Sequence, residues 1–413
     1  MVVVQAHIWR YPQQISRNRL EFKFRRSVRD IEYEYDNEVL TTSILQATVR
    51  DVMRGERILI TGATGTVGSV LLEKLLRCCP EIDTIFVLLR SKDGCDVRER
   101  LHKLFTSPLY AAVPVPVRTK VVALQGDVSL PDLGLSAQDR DILVHHVGIV
   151  LHCAANVSFG AGLRSAVNAN LNGSKLLGTW KEPFPGWLPI GYGASGFIAG
   201  TGKGVFRTVP ASPKKIADLV PSDVVVNAII AAAWGLAQPG AKQLQIYHVT
   251  SSTRNPVTWG EYTSHVVRAW RDEFPCKALA WVPDCKCRPE VWRNRLVFRL
   301  CQLWPSYLVD FVEANTAASH NRHKKESLVS VQRRFIRGME LMSHFSQRQW
   351  SFHSPNLCEL HKKLSPEDQA TFSVELLDVD WGKFINACVL NVRQHFFKDP
   401  IATLPQAKTY IRR

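Results

Sequence analysis

Arg57-Ile58-Leu59-Ile60-Thr61-Gly62-Ala63-Thr64-Gly65-Thr66-Val67-Gly68 is the stretch that decides the fold. It opens with a short apolar run of buried-strand character and turns through three glycines. From about Ser69 to Cys79 it continues with the apolar period of a helix, which Pro80 stops. Thr84-Ile85-Phe86-Val87-Leu88-Leu89 then reads as a second apolar strand, so the unit is β-α-β and the sheet parallel. In that context each glycine has a task. Gly62 permits the tight turn, Gly65 lets a pyrophosphate approach the backbone, and Gly68 allows the helix to lie close on the sheet. The N–H groups and dipole of the helix N-terminus favour phosphate. Thr61 and Val67 complete the turn, which is read as a dinucleotide site.

Working outward, the second strand ends at Arg90, followed by Ser91 and Lys92. An acidic residue there would take a ribose 2′-hydroxyl; Arg90 and Lys92 suit a 2′-phosphate, so the expected cofactor is NADPH. Val121 to Leu124 reads as a third strand, and Gly126-Asp127-Val128 after it places Asp127 to accept from an adenine amino group or simply to serve as a turn residue. Gly148 to His152 reads as a fourth strand. Cys153, Ala154, Ala155 and Asn156 follow it, small enough to let the backbone lie against a cofactor. Leu163 to Leu177 carries a helical pattern, Gly178 to Trp187 is loop chemistry, Gly191 to Gly204 reads as irregular, and Val224 to Leu236 as a helix. Gln245 to Val249 is a late strand, and from Trp259 onward the chain is helix-rich and aromatic.

The fold class expected is therefore α/β, a Rossmann-type doubly wound parallel sheet followed by a mostly helical C-terminal domain. The boundaries are 1–52 for an unassigned extension, 53–254 for the nucleotide-binding domain, 255–400 for the helical domain and 401–413 for a tail. The chain has 413 residues and a net charge of +15. Its basic residues are scattered, with no zinc-finger spacing or RNA-binding signature, which argues against nucleic acid and fits polyanionic small ligands. Ten cysteines without a compact secreted framework suggest a reduced intracellular setting, and Cys285-Lys286-Cys287 lacks partners at metal spacing. The longest apolar run, Val224 to Ala237, is too short to span a bilayer, which takes about 18–20 residues. The expectation is a cytoplasmic protein, or one held peripherally on an organelle membrane such as peroxisome or endoplasmic reticulum by basic helices of the C-terminal domain.

Several landmarks in order resemble the alcohol-forming fatty acyl-CoA reductases, an extended short-chain dehydrogenase family. The glycine turn with Ser69 to Arg77, Val87 to Arg90, Gly126-Asp127, His152 to Phe159 and Asn170 to Gly173 are similar to its first half. Trp180-Lys181-Glu182-Pro183-Phe184-Pro185-Gly186-Trp187 and Ala217 to Val224 look like later landmarks, and Trp350-Ser351-Phe352 with Asp380-Trp381 resembles the helical "sterile" domain. The resemblance implies NADPH-dependent reduction of a long-chain fatty acyl-CoA to a primary alcohol through an aldehyde. It also implies a Tyr that donates the proton, a Lys four residues on that lowers the Tyr pKa, and a Ser on the preceding strand. This chain contains no Tyr-x-x-x-Lys; Tyr192, Tyr110 and Tyr262 are followed at that spacing by Gly196, Pro114 and Val266. Between Gly178 and Thr179 the sequence passes from an early landmark to a much later one, so no residue is assigned to catalysis. Ser174 and Lys175 do not match the motif positions. The alternatives are a non-catalytic relative that keeps NADPH or acyl-CoA binding, or a sequence assembled without one of its coding segments.

Overall fold

The computed structural model describes residues 2–6, 47–91, 94–154, 176–188, 193–241, 244–276, 281–315 and 327–412. In chain order the strands are β1 (Val2–Ala6), β2 (Arg57–Thr61), β3 (Thr84–Leu89), β4 (Val121–Gln125), β5 (Ile149–His152), β6 (Leu176–Leu177), β7 (Thr208–Val209), β8 (Val220–Pro221), β9 (Gln245–Val249) and β10 (Lys286–Cys287). Strands β4, β3, β2 and β5 form a parallel sheet in that spatial order. The first strand of the unit, β2, thus lies between the second and the fourth, the reversal that opens a ligand crevice at the C-terminal ends of the strands.

Alternation within each strand explains why both faces are covered. Ile58, Ile60, Ile85 and Val87 point into the main core, while Leu59, Phe86, Leu88 and Leu124 join Leu143 in a smaller cluster on the other face. Parallel strands buried on both sides read as near-continuous apolar runs. The helix Thr66–Cys78 covers the first face through Leu71, Leu72 and Leu75, none of them accessible. Each such side chain contributes about 1.5–3 kcal/mol by burial. The helix Ala137–His146 supplies Leu143 to the second face.

The helix Ser222–Ala237 packs on Thr66–Cys78, and its buried face includes Val226, Ile230 and Trp234. Part of the stretch that the sequence leaves unassigned joins this layer. The indole N–H of Trp234 donates to the Ala47 carbonyl at 2.6 Å, the helix Val49–Met53 buries Val49 and Met53, and β1 pairs antiparallel with β9. The C-terminal stretch ends in a helix, Leu404–Arg412.

Two local expectations are corrected. Leu176 and Leu177 do not end a helix; they form β6, parallel to β8, and the Gly178 carbonyl accepts from the N–H of Ser222 at 2.9 Å. The rest of the expected helix, through Lys175, lies outside the described residues. Gly193–Gly202 is a helix, not an irregular loop. A Cβ on Gly200 would sit 1.9 Å from the Phe206 ring, and one on Gly202 would sit 2.4 Å from Trp270. Glycine is a poor helix former, but here its bare backbone admits two aromatic rings, and packing outweighs propensity.

The loop from Gly178 to Trp187 joins the two parts of the molecule. The N–H groups of Trp180, Lys181 and Glu182 all donate to the buried Asp223 carboxylate, at 2.8–3.2 Å. Gly186, at φ +82, lies so close to the helix Trp381–Asn391 that a Cβ would be 2.2 Å from the Ala387 carbonyl carbon. Glu182 reaches back to the glycine-turn helix, accepting from Lys74 and, at 3.0 Å, from Arg77.

Candidate functional site

At the end of β2 the chain must reverse within a few residues to start the helix. Gly62 does so at φ +72, a left-handed conformation that side chains disfavour. The fourth strand presses on the same point, since a Cβ on Gly62 would lie 2.6 Å from the Ala154 nitrogen. Gly68 is equally constrained, with a Cβ 2.2 Å from the Gly62 oxygen. Gly65 differs. It caps the helix in an extended conformation, φ −83 and ψ 175, and a Cβ there would meet only the Gly62 oxygen, at 3.2 Å. Two glycines let backbone meet backbone, and the third leaves space open above the helix N-terminus. That cradle fits a dinucleotide pyrophosphate.

Thr61 ties the two central strands together. Its hydroxyl lies 2.7 Å from Nδ1 of His152 and accepts from the Ala154 N–H at 3.3 Å, while its carbonyl accepts from the Cys153 N–H at 3.0 Å. The turn is braced from behind: the Ser69 hydroxyl donates to the Gly65 carbonyl at 2.7 Å, and the buried Tyr110 hydroxyl donates to the Ser69 carbonyl at 2.9 Å. Burial pushes the Tyr110 phenol far above its ordinary range, so it stays a neutral donor. Val67 packs half-buried against the core.

Beside the cradle lies a second recess of about 430 Å³, lined by Arg90, Ser91, Gln125, Gly126, Asp127, Leu130 and Gly134. Arg90 and Asp127 face each other there at 3.5 Å. Both readings of Asp127 have a counterpart. Its Oδ1 accepts from the N–H and hydroxyl of Ser129, at 2.9 and 2.8 Å, as a turn residue does, while the carboxyl also borders the recess. The Ser129 N–H and hydroxyl, with Arg90, hold its pKa below the ordinary carboxylate value. Gly126 is fixed by crowding, since a Cβ would stand 2.6 Å from the Leu133 oxygen. Val128 is exposed and does not line the recess.

The structure also brings in a residue that the sequence reading passed over. Arg100, on the helix Val97–Phe105, donates to the Arg90 carbonyl and reaches the Thr64 hydroxyl at 3.5 Å. A second guanidinium thus stands between the glycine turn and the end of β3. The signal was available only as a basic residue on the helix after that strand, with nothing in its spacing to direct it back. Lys92, Ala155, Asn156 and Tyr192 lie outside the described residues. So do Ser174 and Lys175. On the far side of the crevice β5 is the last strand: among the described residues nothing pairs with its outer edge.

Comparison with known proteins agrees with this geometry. Residues 60–181 and 175–229 match the NAD-binding model described as "Male sterility protein", and residues 301–399 match the Sterile model of the same description. Together these matches span more than half of the chain, which belongs to the family those models describe; proteins named fatty acyl-CoA reductase are among its relatives. Fatty acyl-CoA reductase 1 of Mus musculus is 25% identical over 89% of this chain and 89% of its own length. Fatty acyl-CoA reductase 2 of Bos taurus is 26% identical over 87% and 88%. Among solved structures, the terminal reductase domain of the myxalamid PKS-NRPS pathway superposes with a TM-score of 0.52 at 17% identity, covering 84% of this chain and 93% of that one. The reductase domain of a Mycobacterium tuberculosis nonribosomal peptide synthetase gives 0.54 at 15%, covering 82% and 91%. These two likenesses establish the fold alone. The chain is thus an oxidoreductase-family member with a Rossmann-type nicotinamide-binding domain.

Proposed function

We propose that this protein binds NADPH, and that the reaction its scaffold serves is the reduction of long-chain fatty acyl-CoA to the primary fatty alcohol. The observation that carries the cofactor half is the pairing of a glycine cradle with two guanidinium groups, Arg90 and Arg100, at the end of the second strand. Gly62, Gly65 and Gly68 would hold the pyrophosphate, with Thr61, Val67 and Ala154 shaping the walls. Asp127 would border the adenine side, and Arg90 with Arg100 would take the 2′-phosphate. NADPH, when bound, supplies the hydride. The acyl-CoA substrate and the alcohol product follow from what the similar proteins are named for and from the family resemblance.

A second reading concerns this chain as its sequence stands: it holds NADPH without turning substrate over. Each reduction puts charge on oxygen, which needs a proton donor. No Tyr-x-x-x-Lys occurs in the sequence, and among the described residues nothing pairs with the outer edge of β5. The alignment with the mouse relative runs over 467 positions, more than the 413 residues of this chain. With 89% of the chain entering it, about 100 positions of the relative face a gap. That supports loss of an internal segment, and the NAD-binding match, split into 60–181 and 175–229, supports placing it near Gly178–Thr179.

The test is a pair of measurements on the purified chain. Fluorescence titration is expected to show NADPH binding, and incubation with NADPH and palmitoyl-CoA is expected to yield no alcohol. Alcohol formation that Gly65→Asp abolishes would overturn the second reading. Failure to bind NADPH would overturn the cofactor assignment itself.

A further inference from the structure

The helical segment 291–315 is turned inside out. It runs through Val291–Phe298, a π-helical turn Arg299–Leu303 and Trp304–Asn315, with helical backbone at both joints. A helix on a globular protein points its apolar stripe at the core. Here the inward residues include Asn294, Gln302 and Ser306, at most 1% accessible. The side-chain Oε1 of Gln302 accepts from the N–H groups of Arg207 and Thr208 at 2.8 and 3.0 Å, and its Nε2 donates to the Gln332 side chain at 2.9 Å. Asn294 accepts from the Thr208 hydroxyl, and Ser306 donates to the Gln302 carbonyl. Outward stand Trp292, Leu300, Trp304, Leu308 and Phe311, between 57% and 70% accessible.

We propose that this outer face seats the protein on an anionic lipid surface. The inner face is already satisfied by hydrogen bonds, so the helix is held in this orientation rather than caught with its core side exposed. A contiguous apolar face of this kind marks an interaction site. Charge selects the partner. Arg293, Arg295 and Arg299 lie on this helix, and no acidic residue occurs from 291 to 309. Arg295 pairs with Glu340 at 3.2 Å, while Arg333 from the next helix donates to the Tyr307 hydroxyl at 2.5 Å and brings a further guanidinium to the rim. Large apolar side chains, two tryptophans and arginines on one face suit the boundary between acyl chains and anionic headgroups. Among the described residues no helix is long and apolar enough to cross a membrane, so the helix lies in the surface plane. The proposal needs neither cofactor nor acyl substrate and stands apart from the function proposed above.

Flotation of the full chain with phosphatidylcholine vesicles, with and without phosphatidylserine, tests it. The chain is expected to float with the phosphatidylserine vesicles and to release as salt rises. Leu300→Glu with Leu308→Glu should lower partitioning at least about tenfold, since each leucine loses its burial in lipid. Val115→Glu, an exposed apolar residue elsewhere, should leave it unchanged. Arg293→Glu with Arg299→Glu should remove the dependence on phosphatidylserine. Quenching of tryptophan fluorescence by brominated lipid reads the same contact on the unaltered chain, whatever the variants do to folding. No flotation and no quenching would overturn the proposal. So would a dimer that the leucine variant dissolves, without vesicle binding by the unaltered chain.

Discussion

Replacing each of the three turn glycines by alanine should produce two different phenotypes from one motif. At Gly62 the new Cβ lands 2.6 Å from the Ala154 nitrogen at φ +72. Left-handed backbone costs a side-chain residue about 1–2 kcal/mol, and crowding a packed site costs about 1–3 kcal/mol more. Gly62→Ala should therefore destabilise the protein by about 2–5 kcal/mol, a large part of the roughly 5–15 kcal/mol that holds a domain folded. Gly68→Ala, with its Cβ 2.2 Å from the Gly62 oxygen, carries the crowding cost of about 1–3 kcal/mol alone. Gly65 has a conformation open to any residue and one neighbour at 3.2 Å. Alanine there loses only the preference of a helix N-cap for glycine, about 0.5–1 kcal/mol.

The order reverses for the cofactor. The methyl of Gly65→Ala projects into the space above the helix N-terminus, where the pyrophosphate is proposed to sit. Crowding of about 1–3 kcal/mol at that contact corresponds to a loss of about 5- to 150-fold in NADPH affinity. Thermal denaturation and NADPH fluorescence titration on the same samples separate the two effects. Gly65→Ala should melt close to the unaltered protein and bind NADPH at least about fivefold more weakly. Gly62→Ala should melt well below it. Unchanged NADPH affinity in Gly65→Ala refutes the reasoning, because the turn would then not be where the phosphates lie.

The remaining predictions follow from the same contacts. Arg100→Ala should weaken NADPH by about tenfold, the lower end for an ion-assisted hydrogen bond at a half-exposed site, and leave NADH unchanged in parallel titrations; equal losses for both would remove Arg100 from 2′-phosphate recognition. Sequencing the native transcript across the Gly178–Thr179 codons should show whether a Tyr-x-x-x-Lys segment is encoded there. If it is, the gene product is expected to reduce palmitoyl-CoA; a continuous junction leaves the non-catalytic reading in place. Burial tends to raise the Glu182 carboxyl, but Lys74 and Arg77 outweigh it and hold the pKa below its usual 4.5. A depressed folded pKa means that the ion pair stabilises above the ordinary value and is lost as pH falls below it. Glu182→Gln should cost about 1–3 kcal/mol at neutral pH, less than for a fully buried pair because Glu182 is partly exposed, and should flatten the acid side of the stability profile. Denaturant midpoints between about pH 7 and about pH 4 check this. Glu73, pushed upward chiefly by its own burial, shares Arg77 with Glu182 and is raised further by that carboxyl, so a Glu73→Gln background separates the two carboxyls.

The parts of the fold legible in the sequence are those fixed by short-range chemistry. The glycine turn was readable because the apolar runs on either side already dictate strand and helix, and the Arg90 position followed from counting along the next strand. Arg100 was not, because its direction depends on how the helix after β3 lies back across the turn. Gly193–Gly202 was misread for a related reason. Glycine's cost is local, whereas the reward, two aromatic rings against Gly200 and Gly202, comes from Phe206 and from Trp270 nearly seventy residues away. The segment 291–315 falls within the stretch that reads only as helix-rich and aromatic, and composition of that kind does not say which face of a helix meets water.

Among the described residues the sheet ends at β5, which bears on what the proposed site can do. The cofactor half draws its support from elements that the chain retains. Thr66–Cys78 is covered by Ser222–Ala237, and its Lys74 and Arg77 are tied to Glu182, whose loop is held by Asp223 and packs through Gly186 on the helix Trp381–Asn391. None of these contacts needs a strand beyond β5. On the family resemblance, the proton donor would stand on the crevice wall that such a strand would build. On the proposed reading, nucleotide binding and proton donation are separable: one would rest on the turn after β2, the other on structure beyond β5, with which nothing pairs on that side among the described residues. A chain that binds NADPH and leaves acyl-CoA untouched is the outcome expected from that separation. A chain that binds neither would mean that the open edge at β5 unsettles Ala154, and through it the turn at Gly62.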